Sequence, residues 1–435
     1  MANGVQDKVR DLQIKLYLAA KRSPTRRFHA LYDKVYRRDV LERAWREVEE
    51  NHGAAGVDGD SIEAITEQGV EAFLAELGNE LREGRYQPLP VRRVSIPKAG
   101  GKGTRNLGIP AVRDRVVAAA VKVVIEPIFE ADFLECSWGF RPKRSAHQAI
   151  ERIRGGIRRG NCWVVDADIQ SFFDEIPRGK LALALRERVS DRQVIGLIQS
   201  WLRAGVLVGG SVLHPERGTP QGGVASPLLA NVYLHQLDRV WAESYRHLGE
   251  LTRYCDDLVI VCRTKAEAEA ALEVLGRLLA ELGLQVAEAK TRLVGVDEGE
   301  GFDFLGFHHR KVRSVRNPSV RFLASWPGHV AMQRARGRVR EILARRQLLR
   351  PVSDVITDVN RFLRGWGGYF RRGNSTRHFN RLDRYVTRRV ARFISMKCDH
   401  PGFGYGLRVI VGSGNDLGLY RLVGTVGRAA VQTVR

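Results

Sequence analysis

Two acidic clusters lie in an otherwise basic chain, and they are the first sign of chemistry. One is Asp166-Ala167-Asp168, followed by Asp174, and the other is Asp256-Asp257. Each comes at the end of an apolar run typical of a β-strand. Carboxylates in such surroundings are costly unless a cation neutralises them. Because two Mg²⁺ ions about 3.5–4 Å apart between carboxylates catalyse nucleotidyl transfer, the clusters indicate a candidate two-metal site.

The strand pattern limits which carboxylates could meet. With a period of two, Asp166 and Asp168 lie on the same side of their strand, so only tertiary contact decides which of them joins Asp256. A simpler interpretation is that Asp166 and Asp174 cap local turns and that Asp256-Asp257 forms the hairpin turn, since Asp is favoured in turns. Taken alone, an Asp-Asp dipeptide favours the turn, and both interpretations stay open at this point.

The elements that must position these acids follow from periodicity and turn residues. Residues 251–263 contain two apolar arms around Asp256-Asp257, which predicts a hairpin with the acids at its tip. A second hairpin with a basic rim is predicted over 91–109. Its glycine turn lacks the Gly-Lys-Ser/Thr ending of an ATPase phosphate loop. The helical patterns are at 14–83 (with breaks), 111–130, 145–160, 178–204, 228–245 and 265–283.

Composition narrows the class of protein. The 435 residues include 71 Lys and Arg against 49 Asp and Glu, a formal net charge of +22 that favours a polyanionic partner. Arg is dense over 310–392, where a nearly single-signed run would repel itself without such a partner. The 5 cysteines form no Cys-x-x-Cys pair, which argues against a disulfide framework or a structural zinc site. No apolar run approaches the ~18 residues of a membrane helix.

The residues around the acidic clusters resemble the motifs of group II intron reverse transcriptases. Tyr254-Cys255-Asp256-Asp257 is similar to the family's Tyr-x-Asp-Asp hairpin, with Cys where Ala is usual. Further segments are similar in family order, at 137–147, 165–176, 218–234 and 283–307. Residues 361–370, 373–375 and 382–386 resemble the maturase domain that serves as thumb. The resemblance spans about residues 30–395.

The resemblance implies an α+β right-hand polymerase, in which fingers and an antiparallel palm sheet precede an α-helical thumb. The implied divisions are an N-terminal helical extension with the start of the fingers (1–85), fingers and palm (86–308), thumb or maturase (X) domain (309–395) and a tail (396–435). The tail is either a small DNA-binding element or the last part of the thumb. No zinc-type Cys pair or His-rich nuclease pattern follows residue 395, so we expect a bacterial-type member without the endonuclease domain.

The resemblance also implies roles for individual residues. Asp168, Asp256 and Asp257 would be catalytic and hold two Mg²⁺ ions, together with the backbone carbonyl of Ile169. The implied nucleotide contacts are Arg92 and Lys98 to the triphosphate, Phe172 or Phe173 under the deoxyribose, Gln221, and Lys290 near the active site. The implied nucleic-acid contacts are Arg141, Arg144, Arg361 and Arg364. Lys290 could instead be a solvated lysine, and Arg141 and Arg144 plain surface charges.

The implied function is RNA-directed DNA polymerase activity combined with an RNA-binding maturase activity. The expected partners are an RNA template, in this family group II intron RNA, a DNA primer or target, and dNTPs. Without an endonuclease, the primer would come from elsewhere. We expect a cytoplasmic, nucleoid-associated location and no membrane or identifiable protein partner. Two alternatives stay open: an RNA-binding splicing factor with a silent polymerase site, and a reverse transcriptase domesticated for host defence or repair.

Overall fold

A computed structural model of the chain describes residues 2–97, 104–219, 222–314, 317–412 and 417–427. The chain forms two compact units. The first comprises Met1–Pro97, Gly103–Gly156 and Val164–Leu293, and most of the second is Val294–Arg435.

The secondary structure mixes helices and strands. The helices are α1 Ala2–Arg22, α2 Tyr32–Val35, α3 Arg38–Glu50, α4 Ile62–Gln68, α5 Val70–Arg82, α6 Val112–Glu130, α7 Ala146–Arg158, α8 Phe172–Glu175, α9 Arg178–Arg186, α10 Arg192–Arg203, α11 Ser226–Val240, α12 Lys265–Glu281, α13 His329–Ile342, α14 Val352–Phe370, α15 Thr376–Lys397 and α16 Gly404–Val411. The strands are β1 Val91–Pro97, β2 Thr104–Ile109, β3 Trp163–Asp168, β4 Val206–Val208, β5 Ser211–Leu213, β6 Glu250–Tyr254, β7 Asp257–Cys262, β8 Arg292–Gly295, β9 Gly301–Phe304, β10 Phe307–Arg313 and β11 Arg321–Pro327.

Two sheets form the framework of the first unit. The predicted basic-rim hairpin is present as antiparallel β1 and β2, extended by β4 and β5 in the order β2-β1-β4-β5. The second sheet has the order β6-β7-β3-β8 and contains both acidic clusters. In β7 every residue after Asp257 is buried, as expected for a strand covered on both faces. The predicted antiparallel sheet with acids at a hairpin tip is therefore confirmed.

Helices cover these sheets, and local sequence explains their ends. The continuous helix predicted over 178–204 is in fact two, α9 and α10. The Asp191 side chain accepts hydrogen bonds from the backbone N–H groups of Gln193 and Val194, and this N-cap starts α10 as a separate helix. The apolar α6 is almost wholly buried, and α1 contacts it where Gln13 Nε2 donates to the Val123 carbonyl at 3.1 Å.

The second unit begins differently from the sequence prediction. An α-helical thumb was expected from residue 309, but β9, β10 and β11 form an antiparallel sheet in the order β11-β10-β9, and helices α13 to α16 follow. The predicted boundary at 308/309 lies within β10, and the main segment of the second compact unit is Val294–Arg435. Basic residues at successive positions of β10 conceal its alternation, because long Arg and Lys side chains occur on both faces of an exposed strand.

The described part of the tail belongs to this second unit. Leu422 is fully buried, and its backbone N–H donates to the Asp383 carboxylate at 3.0 Å. Asn360 donates to the Gly418 carbonyl and accepts from the Tyr420 N–H. Residues 417–427 therefore pack on α14 and α15, which favours the interpretation as the last part of the thumb over a separate DNA-binding element. Within the described chain, no helix is both long and apolar enough to cross a membrane.

Candidate active site

The β6–β7 hairpin carries the second acidic cluster on a two-residue turn. Tyr254 pairs with Asp257 across the strands, so Cys255 and Asp256 form the turn itself. Cys255 is buried and has a φ of 60°, a left-handed conformation that few non-glycine residues adopt. The turn also touches the neighbouring strand, because the Ile169 N–H donates to the Asp256 carbonyl at 3.4 Å. Asp256 and Asp257 therefore lie beside the end of β3.

The first acidic cluster meets two basic residues at the start of β8, Lys290 just before the strand and Arg292 as its first residue. Lys290 Nζ lies 2.8 Å from Asp168 Oδ1, and the Lys290 side chain is 65% exposed. Arg292 similarly pairs with Asp166 at 3.2 Å. The backbone fixes this juxtaposition, because the Ala287 N–H donates to the Asp168 carbonyl at 2.8 Å. The prediction that Lys290 lies near the active site is thus consistent with the geometry.

The electrostatics show that the carboxylates of both clusters converge. The pKa of Asp257 is raised to about 7, first because the group is buried and then because Asp256, Asp168 and Asp166 repel its charge. Lys290 opposes this shift. Four carboxylates close enough to raise the pKa of one of them form a strongly negative site, which a divalent cation would neutralise.

The donor set fits a hard divalent cation. Carboxylate and carbonyl oxygens are the ligands that Mg²⁺ prefers. The turn also contains Cys255, but burial raises the pKa of its thiol and keeps it protonated, so no thiolate competes there. Among the described residues, no three or more His, Cys, Asp or Glu side chains are grouped closely enough to hold an ion as they stand. The Lys290 ammonium pairs with Asp168, and the Arg292 guanidinium pairs with Asp166. A metal there would require Lys290 and the carboxylates to adjust.

The structure distinguishes the two adjacent phenylalanines. Phe172 is only 2% exposed and belongs to the core, so its predicted contact with the nucleotide is wrong. Phe173 is partly exposed beside it, with the ring centroids 5.4 Å apart. The sequence left open which of the two rings lies under the deoxyribose. We therefore predict that Phe173 does.

The glycine-rich segment before α11 lies against Phe173 and β2. The Thr219 N–H donates to the Phe173 carbonyl at 2.7 Å. A Cβ on Gly218 would come within 2.8 Å of the same carbonyl, and one on Gly222 within 2.7 Å of the Gly108 carbonyl. Both glycines also have positive φ, so these positions require glycine. The predicted contacts Gln221 and Lys98 lie outside the described residues.

Arg92 lies on β1 as predicted, but part of its guanidinium is already bonded. Its Nε and Nη2 both donate to the Ala55 carbonyl, at 3.2 and 2.7 Å. Arg has five N–H donors, so this leaves others for a phosphate. Its contact with a triphosphate stays a prediction.

Of the predicted nucleic-acid contacts, Arg141 is corrected. Its side chain is 2% exposed and pairs with Glu130 at 2.6 Å. It also donates to the carbonyls of Leu134 and Ser137. A guanidinium bonded and buried in this way does not bind RNA; it shapes the turn. The sequence could not reveal this, because Glu130 is a tertiary partner.

Three other arginines stay predicted contacts. Arg144 stacks over Trp138 at 4.6 Å and pairs with Glu135, leaving its side chain 14% exposed. In the second unit, Arg361 is 78% exposed. Arg364 is on the same helix as Arg361, α14, and its guanidinium lies 5.3 Å from the centre of the Tyr420 ring. The exposed edge of α14 is therefore better placed to bind a polyanion than the region around Arg144.

Sequence reasoning missed the residues that lie beneath the hairpin. Arg253 on β6 is fully buried and pairs with the equally buried Asp238 of α11 at 2.5 Å. Asn231 and Ser137 also contact its guanidinium. The signal in the sequence is an arginine within the apolar arm of a strand, because a buried charge requires a partner elsewhere in the chain.

Comparisons with known proteins find two family models that match this chain. Residues 96–309 match the family model for reverse transcriptase (RNA-dependent DNA polymerase), and residues 332–403 match the group II intron maturase-specific domain. Protein YkfC of Escherichia coli (strain K12) is 36% identical over 344 residues, which are 70% of this chain and 88% of YkfC. Group II intron-encoded protein LtrA of Lactococcus lactis subsp. cremoris is 37% identical over 217 residues, which are 49% of this chain and 35% of LtrA.

Proposed function

Because the chain belongs to the reverse transcriptase family and contains a group II intron maturase-specific domain, we propose that it extends a DNA primer on intron RNA at the carboxylates of β3 and β7. The assignment of RNA-directed DNA polymerase follows from the family. The observation that supports this site is that the Asp256–Asp257 turn lies beside the end of β3, where the Ile169 N–H donates to the Asp256 carbonyl. The neighbouring carboxylates of Asp256, Asp168 and Asp166 add to the burial that raises the pKa of Asp257. Divalent metal dependence is general in the family, and two Mg²⁺ ions are the specific proposal.

Asp168, Asp256 and Asp257, with the Ile169 carbonyl, would hold the ions. When bound, the two ions lower the pKa of the primer 3′-hydroxyl and stabilise the charge on the leaving phosphates. In the reaction, the 3′-oxygen bonds to the α-phosphorus of the dNTP, the bond to the β-phosphate oxygen breaks, and pyrophosphate leaves. The hydroxyl proton passes to solvent.

The remaining residues orient the substrates. Lys290 would leave Asp168 when a metal ion binds there and stay beside the nucleotide site. The Phe173 ring occupies the space that a ribose 2′-hydroxyl would need, so the site selects deoxynucleotides. Gln221, Arg92 and Lys98 complete the proposed nucleotide pocket.

The maturase activity is proposed for the second unit. Its exposed arginines, among them Arg361 and Arg364 on α14, form a surface suited to the phosphates of intron RNA. DNA primer or target and intron RNA are the proposed partners, and the cytoplasm, beside the nucleoid, is the proposed location. Arg144 in the first unit is proposed to contact the template.

The test for the maturase activity is splicing of a group II intron transcript taken from the gene's own surroundings. We expect that the protein lowers the Mg²⁺ concentration needed for splicing, and that Arg361→Gln/Arg364→Gln removes most of this effect. Splicing that is unchanged by the wild-type protein would contradict the maturase proposal and leave the polymerase proposal intact.

A further inference from the structure

The guanidinium of Arg253 is fully bonded directly beneath the catalytic turn. Nε and Nη2 donate to the two Asp238 carboxylate oxygens at 2.8 and 2.5 Å. Nη2 also donates to Ser137 Oγ at 2.8 Å. Nη1 donates to Asn231 Oδ1 at 3.0 Å and to the Cys255 carbonyl at 3.2 Å. All five N–H donors of the arginine therefore have acceptors.

The last of these acceptors belongs to the turn itself. The Cys255 carbonyl is part of the peptide group that joins Cys255 to Asp256. Cys255 has a positive φ, which costs a non-glycine residue about 1–3 kcal/mol unless its surroundings fix it. The hydrogen bond from Arg253 is one such constraint. It orients the Cys255–Asp256 peptide group, and that orientation places the carboxylates of Asp256 and Asp257.

The same residue joins three separate parts of the chain. The Arg253 N–H donates to the Cys136 carbonyl at 2.7 Å, and its carbonyl accepts from the Trp138 N–H at 2.9 Å. Asn231 of α11 accepts from Arg253 and donates to the Gly139 carbonyl at 2.8 Å. A Cβ on Gly139 would lie 2.6 Å from the Cys255 nitrogen, so this segment packs directly on the turn.

We propose that Arg253, with Asp238 and Asn231, is a positioning group that fixes the Cys255–Asp256 turn in its catalytic geometry. Neither Arg253 nor its partners touch substrate or metal. The inference rests on the proposed function of Asp256 and Asp257. It extends that function to α11, which supplies Asp238 and Asn231, so the placement of the carboxylates depends on a buried network that reaches this helix.

Arg253→Lys is the sharpest variant. Lysine keeps the charge beside Asp238, but its three donors cannot reproduce the planar fork that reaches Asp238, Ser137, Asn231 and the turn. We expect a folded protein in which kcat for primer extension falls about 10–100-fold, because a misplacement of ~1 Å can cost about 10²-fold. KM for dNTP and affinity for RNA should change by less than about threefold, since the residues that bind them lie elsewhere.

A second variant covers the case in which Arg253→Lys does not fold. Arg253→Met/Asp238→Leu removes both charges together, so no unpaired charge is left in the core, and such replacements are often neutral for stability. The control is Tyr32→Phe, which removes one buried hydrogen bond, from the Tyr32 hydroxyl to the Leu81 carbonyl, outside this network.

The deciding readout does not depend on activity. Hydrogen exchange in metal-free protein, followed in peptides that cover residues 253–258, should be at least about tenfold faster in both Arg253 variants and unchanged in Tyr32→Phe. Normal exchange and normal kcat in a folded Arg253 variant would overturn the positioning role. Slow exchange with no polymerisation in the wild type as well would contradict the proposed function instead. If neither variant folds, Arg253 is required for folding and the positioning role is rejected.

Discussion

The catalytic hairpin and the arginine surface of α14 differ in how firmly their charges are fixed. Asp256 and Asp257 lie at a short turn whose Cys255 carbonyl accepts a hydrogen bond from the fully buried Arg253 side chain. Arg361, in contrast, is 78% exposed and pairs with Asp358 on its own helix. Chemistry on a phosphorus atom requires sub-ångström positioning, whereas phosphate binding requires charge density. The comparison predicts that the two regions fail in different ways.

The largest effect is expected from the carboxylates. Asp168→Asn should lower the rate of primer extension by about 10³-fold or more, because a metal ion contributes several kcal/mol of transition-state stabilisation and each 1.36 kcal/mol is tenfold. RNA binding should not change. Single-turnover extension and filter binding on the same preparation measure both. Equal losses of primer extension and of RNA binding would show that catalysis and RNA binding do not depend on separate regions.

Phe173 and Phe172 offer a matched pair within the same motif. Phe173→Ala should lower the preference for dNTP over NTP by about 10–100-fold, since the ring would no longer exclude the 2′-hydroxyl. Phe172→Ala should leave that preference unchanged but lower the free energy of unfolding by about 3–5 kcal/mol, because it creates a core cavity. Competition between dCTP and CTP, with thermal unfolding alongside, distinguishes the two. A loss of preference in the Phe172 variant alone would reverse the assignment.

The arginines of α14 should contribute equally to the affinity for every RNA sequence, because they are proposed to bind phosphates. Removing one phosphate-binding cation reduces the slope of log K against log salt by about 0.7 for single strands, so Arg361→Gln/Arg364→Gln should reduce it by about 1.4. Arg141→Gln is the contrasting variant. It should leave the slope unchanged and lower the free energy of unfolding by about 3 kcal/mol, since it leaves a largely buried partner unpaired. A reduced slope for Arg141→Gln would restore its predicted RNA contact.

The smallest effect is expected at Lys290. Its ammonium competes with a metal for Asp168, so Lys290→Met should lower the Mg²⁺ concentration for half-maximal rate by about two- to fivefold, in line with the ~0.5–1 kcal/mol of an exposed pair. The melting temperature should stay within about 2 °C. A Mg²⁺ titration of the extension rate measures the shift. A raised requirement for Mg²⁺ would mean that Lys290 assists the metal site rather than competing with it.

The local sequence pattern was sufficient to predict the hairpin that carries Asp256 and Asp257. Two apolar arms around Asp256-Asp257 predict a hairpin because strand periodicity and turn preference act over a few residues, and β6 and β7 confirm it. The resemblance to reverse transcriptases is confirmed by the family matches. The strand β10 was missed because basic residues at successive positions conceal its alternation.

Side-chain burial was less predictable, since it is decided by distant partners. Phe172 and Phe173 are identical residues on one short helix, and only packing places the first in the core. Arg141 and Arg144 read alike in sequence, yet Glu130 and three backbone carbonyls accept hydrogen bonds from Arg141, whereas Arg144 pairs with Glu135. Arg253 reads as one more basic residue until Asp238, 15 positions earlier, is found beside it.

Primer extension on an RNA template with dNTPs and Mg²⁺, comparing the wild type with Asp256→Ala at two salt concentrations, tests the polymerase site most directly. We expect the wild type to extend the primer, less at high salt. Asp256→Ala should bind the same RNA with the same salt dependence and make no product. An RNA-binding wild type that makes no product at either salt concentration, or an Asp256→Ala variant that extends normally, would contradict the assignment of catalysis to this hairpin.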